Sequence, residues 1–133
     1  MQIANKLIMF SLAVRDMPKA REFYESTLGL KVVQDYRQDD DNWWVSLDLP
    51  EGGVTVTLST HLGNMKPGAM VLYLATSDIT AAHKALSDEG VKISEIQADL
   101  FGPGSDAGFF TLEDPDGNLI HITQAKSTPF AAR

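Results

Sequence analysis

Apolar and polar positions along this chain fall into two rhythms, and the same succession of rhythms occurs twice. NKLIMFSLAVRD (residues 5–16) is dense in apolar residues and reads as a buried strand. Asp16 then caps a helix, with Pro18 tolerated in the first turn. Met17, Ala20, Phe23, Tyr24 and Leu28 recur at helical spacing and make one apolar face. Gly29 stops that helix, and LKVVQDYR (30–37) resumes as a strand. QDDDN (38–42) is a polar hairpin loop. WWVSLDL (43–49) and VTVTLS (54–59) alternate as strands on either side of the turn PEGG (50–53).

After the linker HLGNMKPG (61–68), with its Gly and Pro punctuation, the succession restarts. MVLYLAT (70–76) is a strand, and Asp78 is a cap. Ile79, Ala82, His83 and Leu86 form one side of a helix that Gly90 ends. VKISEI (91–96) is expected as a strand, DLFGPGSDA (99–107) as a loop, GFFTLE (108–113) as a strand. DPDG (114–117) is a turn and NLIHITQ (118–124) the last strand. The tail AKSTPFAAR (125–133) carries weak signals and is expected to be loose. Asp16 thus answers Asp78, Gly29 answers Gly90, and the pair Trp43–Trp44 answers Phe109–Phe110. This is an internal repeat with little identity but a matching order of elements.

Composition narrows the picture. The chain has 133 residues, the size of one domain, and 44% are hydrophobic, enough for a core. The formal net charge is −7, which argues against nucleic acid or an anionic membrane surface as main partner. There is no cysteine, so disulfides, thiolate metal sites and cysteine nucleophiles are excluded. The first apolar stretch, LIMFSLAV (7–14), is too short to span a membrane and lacks a cleavage site. The expectation is a soluble, cytoplasmic protein.

The order of elements, the run V-x-D-M-x-x-A-x-x-F-Y-x-x-x-L-G-L (14–30) and DPDGN-x-I (114–120) resemble the vicinal oxygen chelate superfamily. That superfamily includes glyoxalase I, extradiol dioxygenases, fosfomycin-resistance enzymes and bleomycin-resistance proteins. The resemblance covers residues 6–124. It implies an α+β fold of two tandem βαβββ modules forming an open, cup-shaped mixed sheet with the helices outside. Module one spans about 6–60, the linker 61–68, module two about 69–124 and the tail 125–133, in one domain over 1–133. Several chemistries share this fold, so activity does not follow from it. The DPDG turn has a structural role only: Asp114 accepts backbone bonds, Pro115 presets φ and Gly117 supplies an open conformation.

Family enzymes of the glyoxalase I type hold a divalent metal with ligands on four strands. Carried onto this chain, those positions fall on Met9, Thr57, Val71 and His121, the last where the enzymes commonly have Glu. No neighbour within two residues of the first three is His, Asp or Glu. A zinc or iron site needs about three strong donors. The usual family metal site is therefore not expected, and no cofactor is expected either. His61 reads as a solvated loop residue and His83 as the edge of a helix's buried face.

Strand alternation gives the cup a lining instead. Met9, Leu7 and Leu119 read as packing. Ser11, Thr57, Tyr73, His121 and Thr123 supply polar groups, and one of each pair Trp43/Trp44 and Phe109/Phe110 points inward. Mostly apolar and aromatic with a few polar groups, this is the makeup of a small-molecule pocket. The candidate ligand contacts are His121, Tyr73, Ser11, Thr57, Thr123, Trp43, Trp44 and Phe109. His121 is the candidate base, its reference pKa being near 6.5, and Tyr73 its polar partner. LFGPGSDAG (100–108) is either a lid or a connector. The QDDDN loop reads as a solvated turn.

Three functions follow as expectations. One is a metal-free binder of a small amphipathic or aromatic organic molecule, resembling the bleomycin-resistance proteins, which implies a homodimer. The second is an enzyme of isomerase, lyase or dioxygenase type, using His121 as base or as ligand of a displaced metal site. The third is an interaction module whose cup is filled by side chains.

Overall fold

Asp16 and Asp78 open the two helices in the way their spacing predicts. In the computed structural model, which describes residues 1–124, Asp16 Oδ1 accepts from Lys19 N at 3.1 Å. Asp78 Oδ1 accepts from Ala81 N at 3.0 Å. Each bond satisfies one of the donors that a helix start leaves open. The first helix runs as α1 (Met17–Glu22) and continues through a π-helical turn over Phe23–Thr27. The second is α2 (Ile79–Asp88). Gly29 and Gly90 end them at φ 80° and 79°, a left-handed conformation that glycine adopts without a Cβ penalty. The expectation for the tail 125–133 lies outside the described residues.

The chain divides into two units. The first comprises residues 1–69 together with the turn 115–117. Its strands are β1 (Met9–Ala13), β2 (Lys31–Asp39), β3 (Asn42–Asp48) and β4 (Thr55–Ser59), in the spatial order β1-β4-β3-β2. β1 runs parallel to β4, and the other pairs are antiparallel. One face of this sheet carries Leu12, Val45, Leu47, Val56 and Leu58, all buried, and packs with Met17, Ala20 and Tyr24 of the helix. The strand expected over 5–16 is shorter than the apolar run, because Leu7 and Ile8 stay exposed ahead of β1.

Arg15 ties the turn 115–117 into this unit. Its backbone N donates to Asp116 Oδ1 at 3.0 Å, and its guanidinium donates to the carbonyls of Asp116 and Pro67. Gly68 sits against the same turn, where a Cβ would lie 2.2 Å from the Asp116 carbonyl oxygen.

The second unit comprises 70–114 and the described residues from 118 onward. β5 (Val71–Ala75), β6 (Gly108–Glu113) and β7 (Leu119–Gln124) lie in the order β5-β7-β6, with β5 parallel to β7. Leu72, Phe110, Leu112, Ile120 and Ile122 are buried on the side of α2. Both sheets are open and mixed, and the α+β class holds.

One element of the expected βαβββ pattern departs. VKISEI (91–96) is not a regular strand; Ser94 N donates to the Thr111 carbonyl of β6 at 3.0 Å, and just beyond the segment Gln97 bridges Phe109. Ser94 is the physical reason. Its Oγ accepts from Thr111 N at 2.9 Å, a position a ladder gives to a backbone carbonyl, so the side chain displaces regular pairing.

The DPDG turn has the structural role read from its sequence. Asp114 Oδ1 accepts from Asn118 N at 2.9 Å, and Oδ2 accepts from Asn118 Nδ2 at 2.8 Å. Asn118 Oδ1 in turn accepts from Met70 N at 2.9 Å, fixing the start of β5 against β7.

Candidate functional site

His121 sits in the middle of β7, the central strand of its sheet. Register pairs it with Tyr73 on β5 and Thr111 on β6. Alternation sends Ile120 and Ile122 to the helix side and His121 to the opposite face. There its ring stacks on Tyr73, with centroids 4.7 Å apart and planes 20° apart. Phe109, diagonal to it across β6, lies 5.7 Å away. Phe101, in the loop over 99–107, reaches Tyr73 at 6.3 Å. Four rings thus gather on one face, and Tyr73 remains 57% exposed.

The electrostatics of His121 follow from this packing. Nδ1 is buried and has no hydrogen-bond partner. Burial among rings disfavours the charged imidazolium and lowers the pKa below the ordinary 6.5. The Leu72 backbone pulls the other way. Burial is the larger of the two, so the net direction is downward.

The loop is held by its own bonds. Leu100 N donates to the Ala107 carbonyl at 3.1 Å, and Asp99 Oδ1 accepts from Asp106 N at 3.1 Å. Asp99 and Asp106 take positive φ values of 60° and 56°, and Gly102 and Gly104 do likewise. Phe101 is thereby placed beside Tyr73, a neighbour that no periodicity in the loop indicated.

The remaining candidates are placed as follows. Thr123 is buried on the His121 face, its hydroxyl donating to the Gly108 carbonyl at 2.9 Å. Phe109 shares that face, whereas Phe110 is fully buried on the helix side, edge-on to His83. In the first unit, Ser11 faces Thr57 across the parallel pair, and Thr57 is bonded to Ser46 at 2.9 Å. Trp44 shares their side of the sheet; it stacks on Tyr36 at 4.5 Å and meets His61 at 5.1 Å. Trp43 turns the other way. Its indole N donates to Asp35 at 2.7 Å and the Arg37 guanidinium lies 4.4 Å over its ring.

His83 is held by Ser94, whose carbonyl lies 2.9 Å from Nε2. Its role is structural. Tyr36 and His61 were not among the sequence candidates. The hairpin places Tyr36 opposite Trp44, so counting outward from the QDDDN loop finds it.

The four positions that the resemblance assigns to a divalent metal do not fit one. Met9, Thr57 and Val71 offer no carboxylate or imidazole, and the Thr57 hydroxyl already bonds Ser46. Among the described residues, no three His, Cys, Asp or Glu side chains come together to hold an ion. Among the same residues, no helix is long and apolar enough to cross a membrane.

Two repeated units, their duplicated caps and their open mixed sheets define a class. The model of the Glyoxalase/Bleomycin resistance protein/Dioxygenase superfamily matches residues 6–122, and the chain belongs to that superfamily. It is similar to the crystal structure of TnmS3, an antibiotic binding protein from Streptomyces sp. CB03234. The identity is 26%, over 95% of this chain and 100% of that one, with a TM-score of 0.79. A member of the same superfamily from Sphaerobacter thermophilus DSM 20745 is 26% identical, over 93% and 100% of the chains, with a TM-score of 0.76. An integron cassette protein from the mobile metagenome of V. cholerae is 28% identical, over 95% and 98%, with a TM-score of 0.71. No curated protein matches.

Proposed function

We propose that this protein binds a small amphipathic or aromatic organic molecule on the face centred on His121, without the divalent metal of the family's enzymes. The observation that carries the reading is the exposed ring surface of Tyr73, stacked on His121 and flanked by Phe109 and Phe101. An exposed ring set among half-buried ones beside one polar group suits a flat ligand with a polar edge. The likeness to an antibiotic binding protein supports a binding role. In this reading the protein acts as a homodimer, as the family resemblance implies, and in the cytoplasm, which the absence of cysteine fits.

A panel of amphipathic aromatic compounds, read by thermal shift and calorimetry, tests it. Binding is expected to weaken in Tyr73→Ala and His121→Ala while far-UV circular dichroism is unchanged. Equal binding by mutants and wild type removes this face from the reading.

The imidazole of His121 beside the exposed Tyr73 ring carries a second reading, a metal-free isomerase or lyase with His121 as its base. An imidazole kept neutral near pH 7 is able to take a proton. Turnover lost in His121→Gln is the expected sign. Turnover retained in that variant excludes His121 as the base.

A further inference from the structure

The face that carries His121 ends in a carboxylate. Phe109, Thr111 and Glu113 alternate along β6 with Phe110 and Leu112, which are buried on the helix side, so all three belong to the His121 face. Register sets Val71, Leu119 and Glu113 in one row across β5, β7 and β6, next to the row of Tyr73, His121 and Thr111. Val71, Leu119 and Glu113 are all exposed. Such rows stand roughly 7 Å apart along a strand, and neighbouring strands about 5 Å apart. An apolar shelf thus runs from the Tyr73 ring to the Glu113 carboxylate, over the length of a bicyclic ring with a short arm.

The charge at the end of this shelf has no counterpart beside it. Glu113 makes no side-chain hydrogen bond and no ion pair with another described residue. β5, β6, β7 and the loop over 99–107 contain no Lys or Arg, and the loop adds Asp99 and Asp106. The segment 91–96 beside β6 carries one charge of each sign, Lys92 and Glu95. Burial lowers the pKa of His121, so its ring is neutral near pH 7 and repels no cation. Rings, aliphatic side chains and one unmatched anion are complementary to a ligand that is aromatic at one end and cationic at the other.

We propose that this face selects flat aromatic molecules carrying a protonated amine on a short arm, with Tyr73 receiving the ring and Glu113 the ammonium group. The proposal rests on the binding reading above and names the charge of its ligand. A cation near a tyrosine ring is attracted by the ring quadrupole, and apolar neighbours that exclude water strengthen its pairing with a carboxylate. An anionic ligand meets Glu113 with like charge and is rejected.

Calorimetry on the full chain with 2-(2-naphthyl)ethylamine, charged at neutral pH, and 2-(2-naphthyl)ethanol, its neutral counterpart, tests it. The amine is expected to bind ~10-fold more tightly at low salt, and the gap to narrow as salt is raised. Glu113→Gln should bring the amine down to the level of the alcohol and leave the alcohol unchanged. Glu51→Gln removes the same charge from the first unit and should keep the preference. An amine that binds no better than the alcohol overturns the proposal and leaves the binding reading standing. So does a preference that survives in Glu113→Gln, or one that falls as far in Glu51→Gln, which would assign it to net charge. Binding of neither compound overturns the proposal together with the reading beneath it.

Discussion

The two units share a scaffold and differ on the face that turns away from the helix. In the first, that face is lined by hydroxyls that satisfy one another, as Ser46 and Thr57 do, with Trp44, Tyr36 and His61 along one edge. In the second, it is aromatic and holds a histidine with one nitrogen left unmatched. The helix caps and the left-handed glycines recur in both units. What the duplication kept is therefore the local chemistry that starts and stops elements. What diverged is the set of side chains that the sheets present.

The units also differ in how their last turn is built, and the largest predicted effect breaks the comparison there. In the second unit, fully buried Asn118 joins Asp114 to the backbone of Met70. Asn118→Ala removes the bond to the half-buried Met70 N–H and one of the bonds to the buried Asp114 carboxylate, and is expected to cost about 3 kcal/mol in urea denaturation. The turn PEGG holds the matching place in the first unit, and Glu51 there is exposed. Glu51→Ala should stay within about 0.5 kcal/mol. Similar losses for the two would show that the turns are equivalent after all.

The next prediction sharpens the shared part. Gly29 and Gly90 have open space where a Cβ would stand, so conformation alone sets the cost of alanine. Each Gly→Ala change is expected to cost about 1–2 kcal/mol in thermal or urea unfolding, and the two costs should agree. The caps come next. Asp16→Ala and Asp78→Ala should each cost about 1 kcal/mol, with a matching loss of helical circular dichroism.

The smallest effect separates the units again. Because burial lowers the folded pKa of His121 below 6.5, the unfolded chain takes up that proton first as the pH falls. Stability from this group is complete above the unfolded pKa and declines as the pH drops from there toward the folded value. Wild type should therefore lose more stability than His121→Gln between neutral pH and mild acid, measured as the difference of two urea titrations. Identical pH dependence would mean that the imidazole is as solvated folded as unfolded.

How legible each feature was follows from its range along the chain. Caps, glycine stops and the DPDG turn act over three or four residues, and the sequence reading of them holds. Which member of a pair faces which way depends on a partner strand. Trp44 and Phe109 separate from Trp43 and Phe110 only once Tyr36 and His121 stand beside them. The segment 91–96 has a strand's composition, yet the Ser94 hydroxyl takes the bond that a strand needs. The contact of Phe101 with Tyr73 arises from a loop closed by positive-φ residues, and no periodicity encodes it.

The edge strand β2 has a consequence for colloidal behaviour. It is nine residues long, largely exposed, and unpaired on its outer side within the four-stranded sheet. Its register slips between Val32 and Gln34 and again between Arg37 and Asp39. Lys31, Asp35, Arg37 and Asp39 alternate in sign along it. Two bulges and a ribbon of mixed charge make a poor template for a foreign strand. The protein thus exposes a long backbone edge while resisting fibril growth along it, and a flat, neutral version of β2 would forfeit that protection.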